Sequence, residues 1–452
     1  MSKTIENSAQ TRGKPFPWLG LITLAAAVFL SITSEMLPTG VLPDMSKTLG
    51  VTESQIGLLV TWFAFTVVLT STALSHLTRR LPRHGLLVAV LIVFALSNAL
   101  TAIAPSYEFV VASRVIGGMA HGLFWAVVGA YAAHLVPKEQ IGRAVTITVA
   151  GGTMAFVFGV PIATAAGHVL GWQLSFIVLA GLMLVGALLV WKFLPPVDHY
   201  RAMKSADAAS TDKSAQTDAA ASVSGHLANP RLANPRLANP RLVNPRLVNP
   251  RLVNPRLVNP RLDPTVSAVA LLCSITALTM VGHYTFYTYV APFLIYGLGV
   301  DASSVAPLLF AFGIAGAGGL ILTGTVFGPR PQLGLVVSLA MCAVSVTVLG
   351  IFTATLPVAI VAFVLWGLAF GALPPLLQTR LLHVASHRIR DTASAFYTTA
   401  FNAGIGGGAL VGALLLDTVG LHVVPFVYVG ILVAAFALVI VSELVLRRRV
   451  AA

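Results

Sequence analysis

One carboxylate stands inside sequence otherwise suited to hydrocarbon. Glu35, in "SITSEMLPTG" (31–40), follows an almost wholly apolar run from Trp18 to Leu30. Of fifteen acidic residues it alone lies well within such a run. An ion in hydrocarbon is costly, and chains that keep one commonly use it in an ion path or proton relay. Desolvation disfavours the charged form of a carboxyl group, so Glu35 is suited to take a proton from one side and release it to the other. The alternative is structural: a glutamate that bonds nearby backbone and shapes a kink at Pro38.

Arg114, in "SRVIGGMAHGLFW" (113–125), is the matching basic exception. Glu35 lies eight residues before Pro43 and Arg114 eight after Ser106. At about 1.5 Å per residue each is then roughly 12 Å below the same side of a membrane. Arg114 either tunes the charge on Glu35 or bonds helix carbonyls. Arg114, Gly118, His121 and Trp125 recur at helical spacing and so share one face, which suits a cavity better than lipid. Further along, "VGHYTFYTYVAPF" (281–293) places His283 and Tyr287 one turn apart, with Tyr284 alongside. Asn402 in "FNAGIGGGALVG" (401–412) adds an amide, and Gln378 is a weaker cavity candidate. Together these offer aromatic rings with hydroxyl, amide and imidazole groups. They suit the apolar faces and hydroxyls of a sugar, and equally an amphenicol-like drug.

The elements that must hold these groups are long and apolar. The chain of 452 residues is 57% apolar, only 10% charged and has a mean hydropathy of +0.87, where soluble domains carry about 25% charged residues. An all-α integral membrane protein is expected. Windows long enough to cross a ~30 Å core fall near 17–42, 55–77, 85–104, 107–136, 143–167, 172–194, 265–297, 303–327, 332–351, 356–383, 393–416 and 422–446. The first is too long for a cleaved leader. The net charge of +13 does not imply nucleic acid, because 26 of the 28 Lys and Arg fall on one side of these spans. That bias puts both termini in the cytoplasm. Both cysteines, Cys273 and Cys342, fall in spans, and no metal-ligand spacing or phosphate loop is present, so neither a metal, a cofactor nor an embedded enzyme is expected.

The windows form two sets related by an offset of 249. "LGVTES" (49–54) falls on "LGVDAS" (298–303), Pro43 on Pro292, Gly85 on Gly334, His134 on His383, Gly159 on Gly408 and Gly171 on Gly420. Six spans per set leave both in one orientation, which is the parallel-repeat arrangement with a substrate site between halves near the midplane. The expected organisation is a tail (1–16), a six-helix bundle (17–194), a linker (195–264), a second bundle (265–446) and a basic end (447–452). The linker carries seven five-residue units ending in Arg, from Leu227 to Arg261. Their prolines block helix, and they are read as a tolerated tandem expansion, with anchoring to anionic lipid as the alternative.

These stretches resemble the major facilitator superfamily, specifically its drug:proton antiporter branch and the bacterial sugar efflux group. The resemblance rests on "TSEMLPTGVLPDMSKTLGV" (33–51), "SRVIGGMAHGLFW", "GVPIATAAGHVLGWQLSF" (159–176), "GHYTFYTYVAPF" and "FNAGIGGGALVG". It implies twelve spans in two pseudo-symmetric bundles, proton coupling through Glu35 and Arg114, and a monomer in the bacterial cytoplasmic membrane. The substrate would be a small sugar or a drug-like molecule, with His121, Trp125, His283, Tyr284, Tyr287 and Asn402 lining its site. The resemblance also implies conformational roles for Arg79, Arg80 and Arg83, and for Gly152, Gly159 and Pro161. The loop "ALSHLTRRLPRHG" (73–85) departs from the family pattern, with His76 near the usual acidic position. A passive channel or scaffold leaves the lone first-span acid without a use.

Overall fold

Chain punctuation sets the helices. Thr52 accepts from the Gln55 N–H while its own N–H bonds the Gln55 side chain, a reciprocal cap that starts the second span. Ser106 caps the fourth through the Phe109 N–H. In this computed structural model, which describes residues 16–195 and 263–451, the regular elements are helical throughout. Twelve helices are long and apolar enough to cross a membrane. They are α1 (Trp18–Gly40), α2 (Glu53–Arg80), α3 (Arg83–Ala102), α4 (Tyr107–His134), α5 (Ile141–Leu170), α6 (Trp172–Phe193), α7 (Val266–Tyr287), α8 (Ala302–Thr325), α9 (Pro331–Ile351), α10 (Leu356–Val384), α11 (Thr392–Thr418) and α12 (Leu421–Val441). Most of the linker, including Leu227–Arg261, and nearly all of the first tail lie outside the described residues.

The duplication read from sequence is carried by the backbone. Adding 249 to the bounds of α1–α6 reproduces those of α7–α12 to within four residues. The four described residues with positive φ pair at the same offset: Gly50 (66°) with Gly299 (69°), and Gly171 (90°) with Gly420 (89°). A side chain at those angles is strained, so the matched glycines mark matched turns.

Prolines break the regular ladder where the halves meet. Pro161 lacks an N–H, and just before it Ala155–Gly159 widens into a π-turn inside α5. The expected seventh window, 265–297, is not one straight helix. It ends at Tyr287, resumes at Val290–Pro292 and continues as a π-turn over Phe293–Gly297. In the first half α1 ends at Gly40 and a short helix, Leu42–Leu49, follows through Pro43. The matched prolines Pro43 and Pro292 thus lie in matched short helices.

The two halves meet along α2 against α11 and α5 against α8, pairs equivalent under the repeat. The named contacts run from mid-bundle to the end opposite the chain's termini. Ser54 donates to Asp417 at 2.6 Å and Thr61 to the Gly406 carbonyl at 3.0 Å. Phe158 packs on Phe310, and Gly313 lies against the backbone of Phe156 and Val157. Residues 33–42 and 282–294 are buried without interruption, whereas α2 has no buried residue after Val67. The bundle is therefore closed at the far end, and its halves part toward the end bearing the termini.

Candidate functional site

Pro38 explains where Arg114 goes. A proline cannot donate to the carbonyl four residues earlier, so the Ser34 oxygen loses its helical partner. Arg114 supplies the replacement: Nη1 donates to the Ser34 carbonyl and Nη2 to the Glu35 carbonyl, each at 3.0 Å. Its guanidinium also lies over the Phe63 ring, 4.4 Å from the centroid. The equal depths read from sequence do bring Glu35 and Arg114 together. The hydrogen bonds, however, go to two backbone oxygens rather than to the carboxylate.

The Glu35 carboxylate faces His121 instead, with Oε2 3.6 Å from Nε2. Its other oxygen, Oε1, has no hydrogen-bond partner among the described residues. Glu35, Arg114 and His121 are only 4%, 1% and 2% exposed. The hydrogen-bond pattern assigns the imidazole. An indole N–H can only donate, and Trp125 Nε1 donates to His121 Nε2 at 2.8 Å. Nε2 is therefore bare, and Nδ1 carries the hydrogen that goes to Ser31 Oγ at 2.9 Å. Ser34 in turn donates to Asn98 Oδ1 at 2.7 Å, tying α1 to α3.

In the second half His283, itself 1% exposed, sits among rings. Phe370 stacks on it, Tyr287 lies parallel at 5.1 Å, and Tyr284, Trp366 and Tyr428 surround it. Its Nδ1 has no partner among the described residues. Tyr428 accepts from Trp366 Nε1 at 3.2 Å. Asn402 does not join either cluster through a bond, since its amide donates to the Thr398 carbonyl of its own helix.

The sequence pattern of the Major Facilitator Superfamily matches residues 24–388 and, again, 272–451. The chain belongs to this superfamily. Relatives include a probable sugar efflux transporter of Helicobacter pylori (strain G27), 25% identical over 91% of this chain and 92% of the relative. A chloramphenicol efflux pump of Mycobacterium tuberculosis (strain H37Rv) is 28% identical over 88% of this chain and 86% of the pump. Among solved structures, a bacterial homologue of the human lysosomal transporter Spinster, inward-facing and occupied, superposes with a TM-score of 0.67 at 17% identity, covering 95% and 97% of the two chains. A D-xylose–proton symporter gives 0.70 at 14% identity, covering 94% and 97%. Both share the fold.

On this facilitator fold the expected conformational residues separate into two groups. Gly152 and Gly159 sit against α1, the first beside Ile32 and the second beside Thr33 and Phe29, and Pro161 follows the π-turn. Arg79 and Arg80 are exposed in the single turn that ends α2, and Arg83 begins α3 at the same end. Sequence reading missed Ser31, Asn98, Trp366, Phe370 and Tyr428. Ser31 and Asn98 carried a signal, as polar residues within apolar windows, and Ser31 precedes Glu35 by one helical turn. The three aromatics carried none, because rings are equally at home facing lipid.

Proposed function

We propose that this chain exports a small sugar, or a neutral molecule of similar polarity, across the bacterial cytoplasmic membrane in exchange for protons. The carrying observation is the Glu35 carboxyl group, enclosed in protein with one oxygen unsatisfied and the other beside a neutral imidazole. Polar atoms enclosed without partners are expensive, and a proton on Glu35 removes the charge without new contacts. His283 Nδ1, likewise unsatisfied, is the second-half group that a substrate hydroxyl would meet. The rings around it suit the apolar face of a sugar. The names of the Helicobacter relatives agree with this reading.

The basic residues collected at the terminal end support a cytoplasmic position for both termini, so the parted side of the bundle opens inward. Residues 17–194 and 265–446 would rock as two bodies about the shared site, in a chain acting as a monomer. The rings around His283 favour a second reading, a drug of amphenicol type, in keeping with the name of the mycobacterial relatives.

The test is transport in sealed vesicles. With an imposed pH gradient, wild-type protein should move substrate uphill, and Glu35→Gln should lose that movement while remaining folded and inserted. Undiminished gradient-driven exchange in the variant removes Glu35 from the mechanism. A panel of sugars and amphenicols in the same vesicles separates the two substrate readings.

A further inference from the structure

Trp125 and Glu35 approach the same atom. His121 Nε2 accepts from the indole N–H at 2.8 Å, and the Glu35 carboxylate oxygen waits 3.6 Å away. A neutral imidazole has one bare nitrogen, so it serves one of these neighbours at a time. We propose that Trp125 is the positioning residue that links the proton to the cavity: it holds His121 neutral while bonded, and is released when His121 takes the proton from Glu35.

This rests on the proton reading of Glu35. The step balances without an added reactant. The O–H bond of the Glu35 carboxyl group breaks and an N–H bond forms at His121 Nε2, leaving carboxylate beside imidazolium. Nδ1 keeps its hydrogen on Ser31 throughout. Nε2, now a donor, points its hydrogen at the carboxylate, and the indole N–H has lost its acceptor. Trp125 lies one helical turn from His121 toward the end where the halves part, and is half-buried where His121 is enclosed. Its release therefore changes the wall of the open side.

The surroundings leave few competitors. From α1 the ring is faced by Ser31 and Glu35, from α2 by Phe63 (5.2 Å between centroids) and from α3 by Phe94 (6.0 Å). Arg114, the nearby fixed cation on α4, is committed to the Ser34 and Glu35 carbonyls. The two phenyl rings hold the imidazole edge-on, so protonation is answered by movement of the indole rather than of the histidine.

The experiment uses the full chain with its six tryptophans replaced by 5-fluorotryptophan, reconstituted in nanodiscs. The Trp125 fluorine resonance, assigned by its loss in Trp125→Phe, should shift on acidification, and the shift should vanish in His121→Gln, which cannot titrate. In vesicles, Trp125→Phe keeps a ring but no N–H, and should displace the pH profile of exchange toward alkaline pH by about half to one unit. A Trp125 resonance indifferent to pH, or a profile that does not move, overturns the inference. Those results, obtained while Glu35→Gln still abolishes exchange, leave the proton reading intact. Exchange that survives Glu35→Gln defeats the proton reading and this inference with it.

Discussion

At the residue scale the site is governed by which polar atoms have partners. Arg114 at 1% exposure is held by two carbonyls, one of which, that of Ser34, Pro38 leaves unfilled. That predicts a coupling between two residues that do not share a charge. Arg114→Ala should lower thermal stability, because it strands the Ser34 oxygen at a cost of about 1–3 kcal/mol. In a Pro38→Ala background residue 38 supplies its own N–H, so the same Arg114 substitution should cost clearly less. Melting temperatures of the four proteins in one detergent measure the coupling. Additive losses would mean that Arg114 does something other than repair the proline gap. Glu35 and Arg114 were legible in the sequence because a charge in an apolar window is conspicuous. Their actual relation was not, since depth along a helix says nothing about which oxygen an arginine selects.

At the element scale the spans were legible to within a few residues, because length and apolarity fix them. The breaks in α7 and the π-turn in α5 were not, because both depend on how a proline-withdrawn carbonyl is accommodated by neighbouring helices. The same limit applies to glycines. Small residues permit close helix packing, but only the structure tells which glycines of α8 touch another helix. A Cβ on Gly313 would meet the backbone of Phe156 and Val157 in α5, whereas one on Gly324 would meet nothing. Backbone yields far less readily than a side-chain tip. Gly313→Ala should therefore cut exchange about tenfold or more, by a barrier increase of roughly 1.4 kcal/mol or above. Gly324→Ala, the same change in the same helix, should leave exchange near wild type and slightly favour the helix. Equal effects from the two substitutions would show that α5–α8 contact is not what Gly313 provides.

At the scale of the whole molecule, a near-exact repeat is closed by an inexact interface. The α2–α11 pair carries a polar tie at the far end, Ser54 to Asp417 at 2.6 Å. Under the repeat the equivalent positions on α8 and α5 are Ser303 and His168, yet His168 turns to Asp44, with 2.6 Å between Nδ1 and Oδ2. Phe158 on Phe310, the ring contact between α5 and α8, falls under the repeat at the level of Thr61 and Gly407. The far-end hydrogen bond thus ties one seam, while His168 at the equivalent place on the other pairs within its own half, so the far end should respond unevenly to substitution. Asp417→Ala removes the acceptor from the polar seam and should shift the population toward an open far end. A cysteine at Thr61, now 5% exposed behind that seam, reports it: labelling by a membrane-impermeant maleimide should rise several-fold in the Asp417→Ala background. The face from which the label arrives also tests orientation. With 26 of 28 basic side chains on the terminal side, the label should reach position 61 in intact cells, where the far end meets the medium. Labelling confined to inverted vesicles would place the termini outside, and transport from the parted side would then run inward.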